Sequence, residues 1–156
     1  MPIKIRKARA SDAQEILDIL QPYIEEGIVL NRKVSEIRDN IMTFFVAESA
    51  SHLCGVIAHY RYSGHLLEIR SLAVKTTSKK KGIGRMLVEH LMEFLLEESP
   101  SAKIFTLTYI PEFFKKFGFR VVSKDTLPEK IWKDCSKCTK AEECGETALV
   151  YAGKKP

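Results

Sequence analysis

The chain has 156 residues, 45% hydrophobic and 29% charged, and its 25 Lys+Arg against 20 Asp+Glu give a formal net charge of +5. That length suits one domain of about 100–200 residues, and the balance excludes a disordered chain, which buries too little apolar surface to offset its ordering entropy. No apolar run approaches the roughly 18–20 residues that cross a bilayer. Ser11-Asp12 interrupts the start before any signal-type apolar segment develops, so the expectation is a single cytoplasmic domain over residues 1–156.

Ile3 to Ala8 alternates in character and reads as a first strand. Ser11-Asp12-Ala13-Gln14 fits a capping box in which Ser11 and Gln14 satisfy otherwise unpaired amides. Ile16, Leu17, Ile19, Leu20, Tyr23 and Ile24 then recur at helical spacing, and Gly27 supplies a left-handed stop. A loop with Asn31, Arg32 and Lys33 leads into a shorter helix from Val34 to Thr43. Three strands follow, Phe44 to Glu48, Leu53 to Tyr62 and His65 to Val74. The connections Ala50-Ser51 and Ser63-Gly64 are short enough only for antiparallel neighbours. The basic loop Lys75 to Gly84 opens an amphipathic helix with Ile83, Leu87, His90, Leu91, Phe94 and Leu95 on one side. Lys103 to Thr108 is a strand, Pro111 to Phe117 a short helix with Pro111 in its first turn, and Phe119 to Val122 and Thr147 to Ala152 are strands. The expected class is mixed α/β (α+β).

The most informative stretch is Leu72-Ala73-Val74 followed by Lys79-Lys80-Lys81-Gly82-Ile83-Gly84-Arg85, a strand feeding a loop that opens a long helix. Glycines let the main chain approach an anion and aim successive N–H groups at it, while the helix dipole and the lysines add to the attraction. Each hydrogen bond to a charged partner is worth about 1.5–3 kcal/mol, so a handful of them holds a pyrophosphate. On these residues alone, a solvated lysine run before a helix cap is the competing reading. The third glycine of a dinucleotide fingerprint and the Gly-Lys-Ser/Thr of a P-loop are both missing.

This stretch resembles the signature of the GNAT family of N-acetyltransferases, Gln/Arg-x-x-Gly-x-Gly/Ala at the start of a helix after a strand ending Leu-Ala-Val. Lys79 stands at the usual Gln/Arg position, which keeps the charge and loses the planar side chain. A second family element, an aromatic helix ending Gly-Phe, matches Pro111-Glu112-Phe113-Phe114-Lys115-Lys116-Phe117-Gly118-Phe119. The resemblance implies a mostly antiparallel sheet of about six to seven strands flanked by helices, with a splayed central pair. It also implies acetyl-CoA as donor, held by Leu72, Ala73, Val74, the loop Lys79, Lys80, Lys81, Gly82, Ile83, Gly84 and Arg85, and the aromatics Phe113 and Phe114.

Within that family, Gly27 to Lys33, the Phe113-Phe114 pair and Leu127 to Trp132 before Asp134-Cys135 resemble the short stand-alone N-acetylglutamate synthases. The resemblance implies L-glutamate as acceptor and arginine biosynthesis as the pathway; another small amine, a protein amino group, or a non-catalytic acetyl-CoA- or RNA-binding module are the alternatives. Glu68 falls where similar enzymes carry the general base; otherwise it is a strand-surface carboxylate paired with Arg70, on the same face at spacing two. Phe114 occupies the position of the usual tyrosine acid; the nearby Tyr109 is either its substitute as proton donor or a packing aromatic near the cofactor arm, in which case the thiol leaves as its anion or takes a proton from water. Arg32 and Arg70 are the expected planar donors for two carboxylates, since bidentate recognition favours arginine; otherwise Arg32 is an exposed loop arginine and Arg70 the ion-pair partner of Glu68. Cys135, Cys138 and Cys144 are spaced irregularly for zinc, and no metal is expected. The expected partners are the small-molecule amino acid and acetyl-CoA, without nucleic acid or membrane; a homodimer is the assembly left open.

Overall fold

The structure is a computed structural model that describes residues 2–29, 31–79, 81–123 and 146–153. The described strands form one seven-stranded sheet, with helices, in the order β1-β2-β3-β4-β5-β7-β6. Strands β3 (His52–Ser63) and β4 (Leu66–Val74) run through two compact units, Met1–His59 with Arg70–Pro100 and Tyr60–Ile69 with Ser101–Pro156.

The first unit holds β1 (Lys4–Lys7), α1 (Ala13–Glu25), α2 (Val34–Asp39), β2 (Phe44–Ser49) and α3 (Ile83–Glu98). β1 pairs antiparallel with β2, and β2 antiparallel with β3 through a bulge at Ala47/Glu48. Ile16 and Leu20 of α1 pack with Ile37, Phe44, Val46 and Val56 into one apolar cluster. On α3, Ile83, Leu87, Val88, Leu91 and Leu95 are buried at helical spacing. The ring of His90 lies against Phe45, with centroids 5.3 Å apart.

The second unit holds β5 (Lys103–Thr108), α4 (Pro111–Lys115), β6 (Phe119–Val122) and β7 (Thr147–Tyr151). β7 pairs antiparallel with both β5 and β6, whereas β5 runs parallel to β4 from Leu66↔Lys103 to Ile69↔Thr106. Phe105 and Ala148 centre its core, with Tyr62, Leu66, Leu107, Val122 and Val150 packed around them.

Several local expectations give way to contacts from elsewhere in the chain. Ser11 and Gln14 do not form the capping box: Asp12 does the capping, accepting the Arg9 N–H at 2.7 Å, while Gln14 donates to Asp18. Asp12 is also gripped by Arg6 of β1, whose guanidinium reaches both carboxylate oxygens at 2.8 and 3.2 Å. The second helix ends at Asp39 rather than Thr43, because the Asn40 side chain donates back to the Glu36 carbonyl and a 3-10 turn follows. The aromatic helix likewise stops at Lys115, short of Phe117. The Ala50-Ser51 hairpin turn has φ of 51° and 68°, the mirror-image turn that matches strand twist, on two residues that carry no glycine signal. Gly27, at φ 75°, closes α1 as expected: the Ile28 N–H reaches back to the Tyr23 carbonyl at 2.9 Å. Among the described residues, no helix is long and apolar enough to cross a membrane.

The hydrogen bond from Arg6 lowers the Asp12 carboxyl below its ordinary value, against an opposing effect of burial and with help from the Arg9 amide. A carboxyl depressed in the folded state contributes stability above its unfolded pKa of about 3.9 and loses it as pH falls through the lower folded value. Asp12→Asn is therefore expected to lower unfolding stability at pH 7 by about 1.5–3 kcal/mol, with the difference shrinking below pH 4 in urea titrations. A difference that stays constant with pH would contradict this.

Candidate active site

β4 carries five of the expected residues, Glu68, Arg70, Leu72, Ala73 and Val74, and an unexpected feature among them. Ser71 sits in the left-handed region at φ 58° while only 8% exposed. A non-glycine residue held there costs about 1–3 kcal/mol, and such outliers cluster at functional sites. Ser71 comes two residues after Ile69↔Thr106, the last β4–β5 pair, where the Thr106 hydroxyl donates to the Ile69 carbonyl at 3.0 Å. Beyond it the strand continues through Leu72, the buried Ala73 and Val74. No local sequence signal marks Ser71, since serine is ordinary in a strand.

The end of β4 is anchored from both sides. The Tyr23 hydroxyl of α1 donates to the Val74 carbonyl at 2.7 Å, and the Lys75 N–H donates to the Cys54 carbonyl of β3 at 2.8 Å. The ammonium of Lys79 lies 5.4 Å above the Tyr23 ring, a cation–π contact that ties the loop to α1. Tyr23 reads in the sequence as a core position of the first helix; its hydroxyl and ring face give it this second task.

Gly82, at φ 75°, is the residue before the first turn of α3, and no side chain caps that end. Ile83 and Gly84 thus belong to the helix rather than to the loop expected from the sequence. The first helical bond runs from the Met86 N–H to the Gly82 carbonyl at 3.1 Å, so the amides of Ile83, Gly84 and Arg85 have no helical carbonyl to meet. Ile83 contributes its amide there while its side chain is buried at 2% exposure. It packs toward Gly55 of β3, where an added Cβ would stand 2.9 Å from Ile83 Cγ2 and 3.0 Å from Leu87 Cδ1. The missing side chain at Gly55 is what seats α3 this closely. Lys79 and Lys81 are exposed beside the helix end, and Arg85 forms an exposed 3.8 Å pair with Glu89. Lys80 lies outside the described residues. Amides without a helical carbonyl, a left-handed glycine and flanking ammonium groups together fit a phosphorylated anion.

In the second unit, Glu68 is only 3% exposed, so its side chain does not face water on the strand surface. Its Oε1 accepts the Tyr62 hydroxyl at 3.1 Å. A buried carboxylate needs such donors, because desolvation without them costs several kcal/mol. Tyr109, 37% exposed, lies between β5 and α4. Phe114 is 2% exposed and packs edge-on against Phe113 and Phe119, at centroid distances of 5.3 and 5.6 Å. Phe113 is half-buried and also meets Phe117 at 5.1 Å. Gly118 turns this cluster at φ 91°, where a Cβ would stand 2.9 Å from the Gly153 carbonyl oxygen.

Arg32 is half-buried just before α2, and Arg70 is half-buried on β4 two residues after Glu68. Cys54 is buried, its thiol donating to the Ala47 carbonyl at 3.4 Å, and burial pushes the thiol pKa up, the reverse of what a nucleophilic cysteine needs. Cys135, Cys138, Cys144 and the Leu127 to Trp132 segment lie outside the described residues. Among the described residues, no three His, Cys, Asp or Glu side chains gather to hold a metal ion.

Residues 40–121 match the acetyltransferase (GNAT) domain family. An uncharacterized N-acetyltransferase of Chlorobaculum tepidum is 42% identical over 94% of this chain and 94% of its own. The amino-acid acetyltransferase of Neisseria meningitidis is 29% identical over 85% of this chain but only 30% of its own length. The solved N-acetylglutamate synthase from Neisseria gonorrhoeae, complexed with coenzyme A and N-acetyl-glutamate, superposes with a TM-score of 0.84 at 27% identity, covering 96% of this chain and 35% of that one. The chain thus spans about a third of the length of each Neisseria protein. On the strength of the domain match and the Chlorobaculum relative, the chain belongs to the GNAT family of N-acetyltransferases.

Proposed function

We propose that the chain transfers acetyl from acetyl-CoA to the α-amino group of a small amino acid, and that this amino acid is L-glutamate, the first step of arginine biosynthesis. The observation that carries the reading is the open end of α3, where the amides of Ile83, Gly84 and Arg85 stand behind Gly82 and beside Lys79 and Lys81. That donor set fits the diphosphate of a coenzyme A carrier. Likeness to the Neisseria proteins, one named an amino-acid acetyltransferase and the other solved with N-acetyl-glutamate, supports an amino acid as acceptor.

When bound, acetyl-CoA supplies an acetyl group activated as a thioester. An alkylammonium with a pKa near 10 is protonated at neutral pH, so the acceptor needs a base, and Glu68 takes that proton directly or through water. The main-chain N–H groups of Leu72 and Ala73 serve the carbonyl oxygen as charge gathers on it. Phe114 has no proton to give the departing sulfur. Tyr109 is the proton donor assigned to it, and a thiol of pKa about 8.5 also leaves as its anion. Arg32 and Arg70 receive the carboxylates of glutamate.

Thiol release from acetyl-CoA across a panel of amino acids tests this reading. Fastest turnover with L-glutamate is expected. Activity confined to other amines would reassign the acceptor, and cofactor binding without any turnover would make the chain a binding module. Arg32→Ala is expected to raise KM for glutamate about tenfold or more, the loss of one charge-assisted contact, with kcat and the KM for acetyl-CoA unchanged. An unchanged glutamate KM would move the acceptor site elsewhere.

A further inference from the structure

We infer that Tyr62 is a positioning residue for acetyl transfer, its hydroxyl holding the Glu68 carboxylate in the orientation from which it takes the amine proton. The inference rests on the proposed role of Glu68 as base.

Tyr62 lies near the end of β3, and its hydroxyl donates to Glu68 Oε1 at 3.1 Å. A hydrogen bond to an ionised acceptor is about twice as strong as a neutral one and is directional. The donor is itself held by aromatic neighbours. The Tyr62 ring meets Tyr60 edge-on at a centroid distance of 4.6 Å and lies tilted against Phe105 at 5.9 Å. Phe105, fully buried, is also the residue directly across from Glu68 in the β4–β5 register. One buried aromatic therefore backs both the donor and the strand position of the acceptor.

A carboxylate offers about four lone-pair sites on its two oxygens, so accepting from Tyr62 at Oε1 leaves capacity for the proton taken from the amine. General bases act through geometry first: a side chain free to rotate spends most of its time out of reach of the proton. A hydroxyl fixed on a strand supplies a directional restraint on a long glutamate side chain. Tyrosine serves where phenylalanine does not, because the ring packs and only the hydroxyl orients.

The test is Tyr62→Phe, which removes the hydroxyl and keeps the ring. The expected result is a fall in kcat of about tenfold or more with the KM for acetyl-CoA unchanged, beside a lowered melting temperature from the lost buried hydrogen bond. In a Glu68→Gln background the same substitution is expected to cause no further loss, the non-additivity of residues acting as one unit. A normal kcat for Tyr62→Phe, beside a crippled Glu68→Gln enzyme, overturns the inference and leaves Glu68 as base. An equal loss in both backgrounds overturns it too, by giving Tyr62 a role independent of Glu68. A normal rate for Glu68→Gln removes the base itself and the positioning role with it.

Discussion

Glu68→Gln is expected to lower kcat for glutamate acetylation by about 10²–10⁴-fold, the range that a positioned general base supplies, while acetyl-CoA affinity stays unchanged. The substitution is close to isosteric, and the amide oxygen still accepts the Tyr62 hydroxyl, so the packing around this 3% exposed position is kept. The capacity to accept a proton is lost. The separation from cofactor binding follows from where the groups lie in the chain: the proposed diphosphate donors are the amides of residues 83–85 at the start of α3, and Glu68 lies in the first half of β4. Single-turnover kinetics with calorimetric binding of coenzyme A distinguishes the two effects. Near-normal turnover would remove Glu68 as base, and lost cofactor affinity would show that the side chain is structural.

Gly84→Asp is expected to act in opposite directions on stability and on binding. A carboxylate in the first turn of a helix is favoured by about 0.3–1 kcal/mol through the helix dipole, and aspartate has a slightly better helix propensity than the glycine it replaces. The melting temperature should therefore hold or rise. Binding should weaken by about 10²-fold or more, because the same carboxylate faces the diphosphate and like-charge juxtaposition costs several kcal/mol. A stabilised protein that no longer binds coenzyme A is a combination that misfolding cannot produce. Unimpaired binding would mean that the anion sits elsewhere.

Much of this architecture is legible in the sequence because its signals are local. The α3 face repeats at helical spacing, β5 and β6 fall at the bounds expected for them, and Gly27 and Gly82 take the left-handed conformations that glycine permits. What escapes the sequence depends on partners distant in the chain. Asp12, not Ser11, caps the first turn because Arg6 of the preceding strand fixes its carboxylate. Asn40 breaks the second helix through a side-chain bond that competes with the next turn. Ser71 adopts a conformation that propensity assigns to glycine or asparagine, and only its place in β4 explains why strain is tolerated there.

The candidate site divides the same way. The loop proposed for the cofactor is a contiguous run of lysines and glycines, so the stretch is visible in residue order, while its assignment to a cofactor comes from the family resemblance. Tyr62 and Tyr23 are ordinary aromatics in any periodicity reading, and each gains a role from one hydroxyl contact: Tyr62 with a side chain six residues on, Tyr23 with a carbonyl 51 residues away. Glu68 was legible as a carboxylate in a suggestive place; its burial among aromatic residues was not, since a glutamate in a strand usually faces water.

The central claim is that main-chain amides at the start of α3 hold the diphosphate of the acetyl carrier. A crystal structure of the coenzyme A complex tests it most directly. The N–H groups of Ile83, Gly84 and Arg85 are predicted to lie about 2.7–3.2 Å from diphosphate oxygens, with Lys79 or Lys81 closing over them. Finding those amides bonded within the protein, with the diphosphate bound at another surface, would contradict the account.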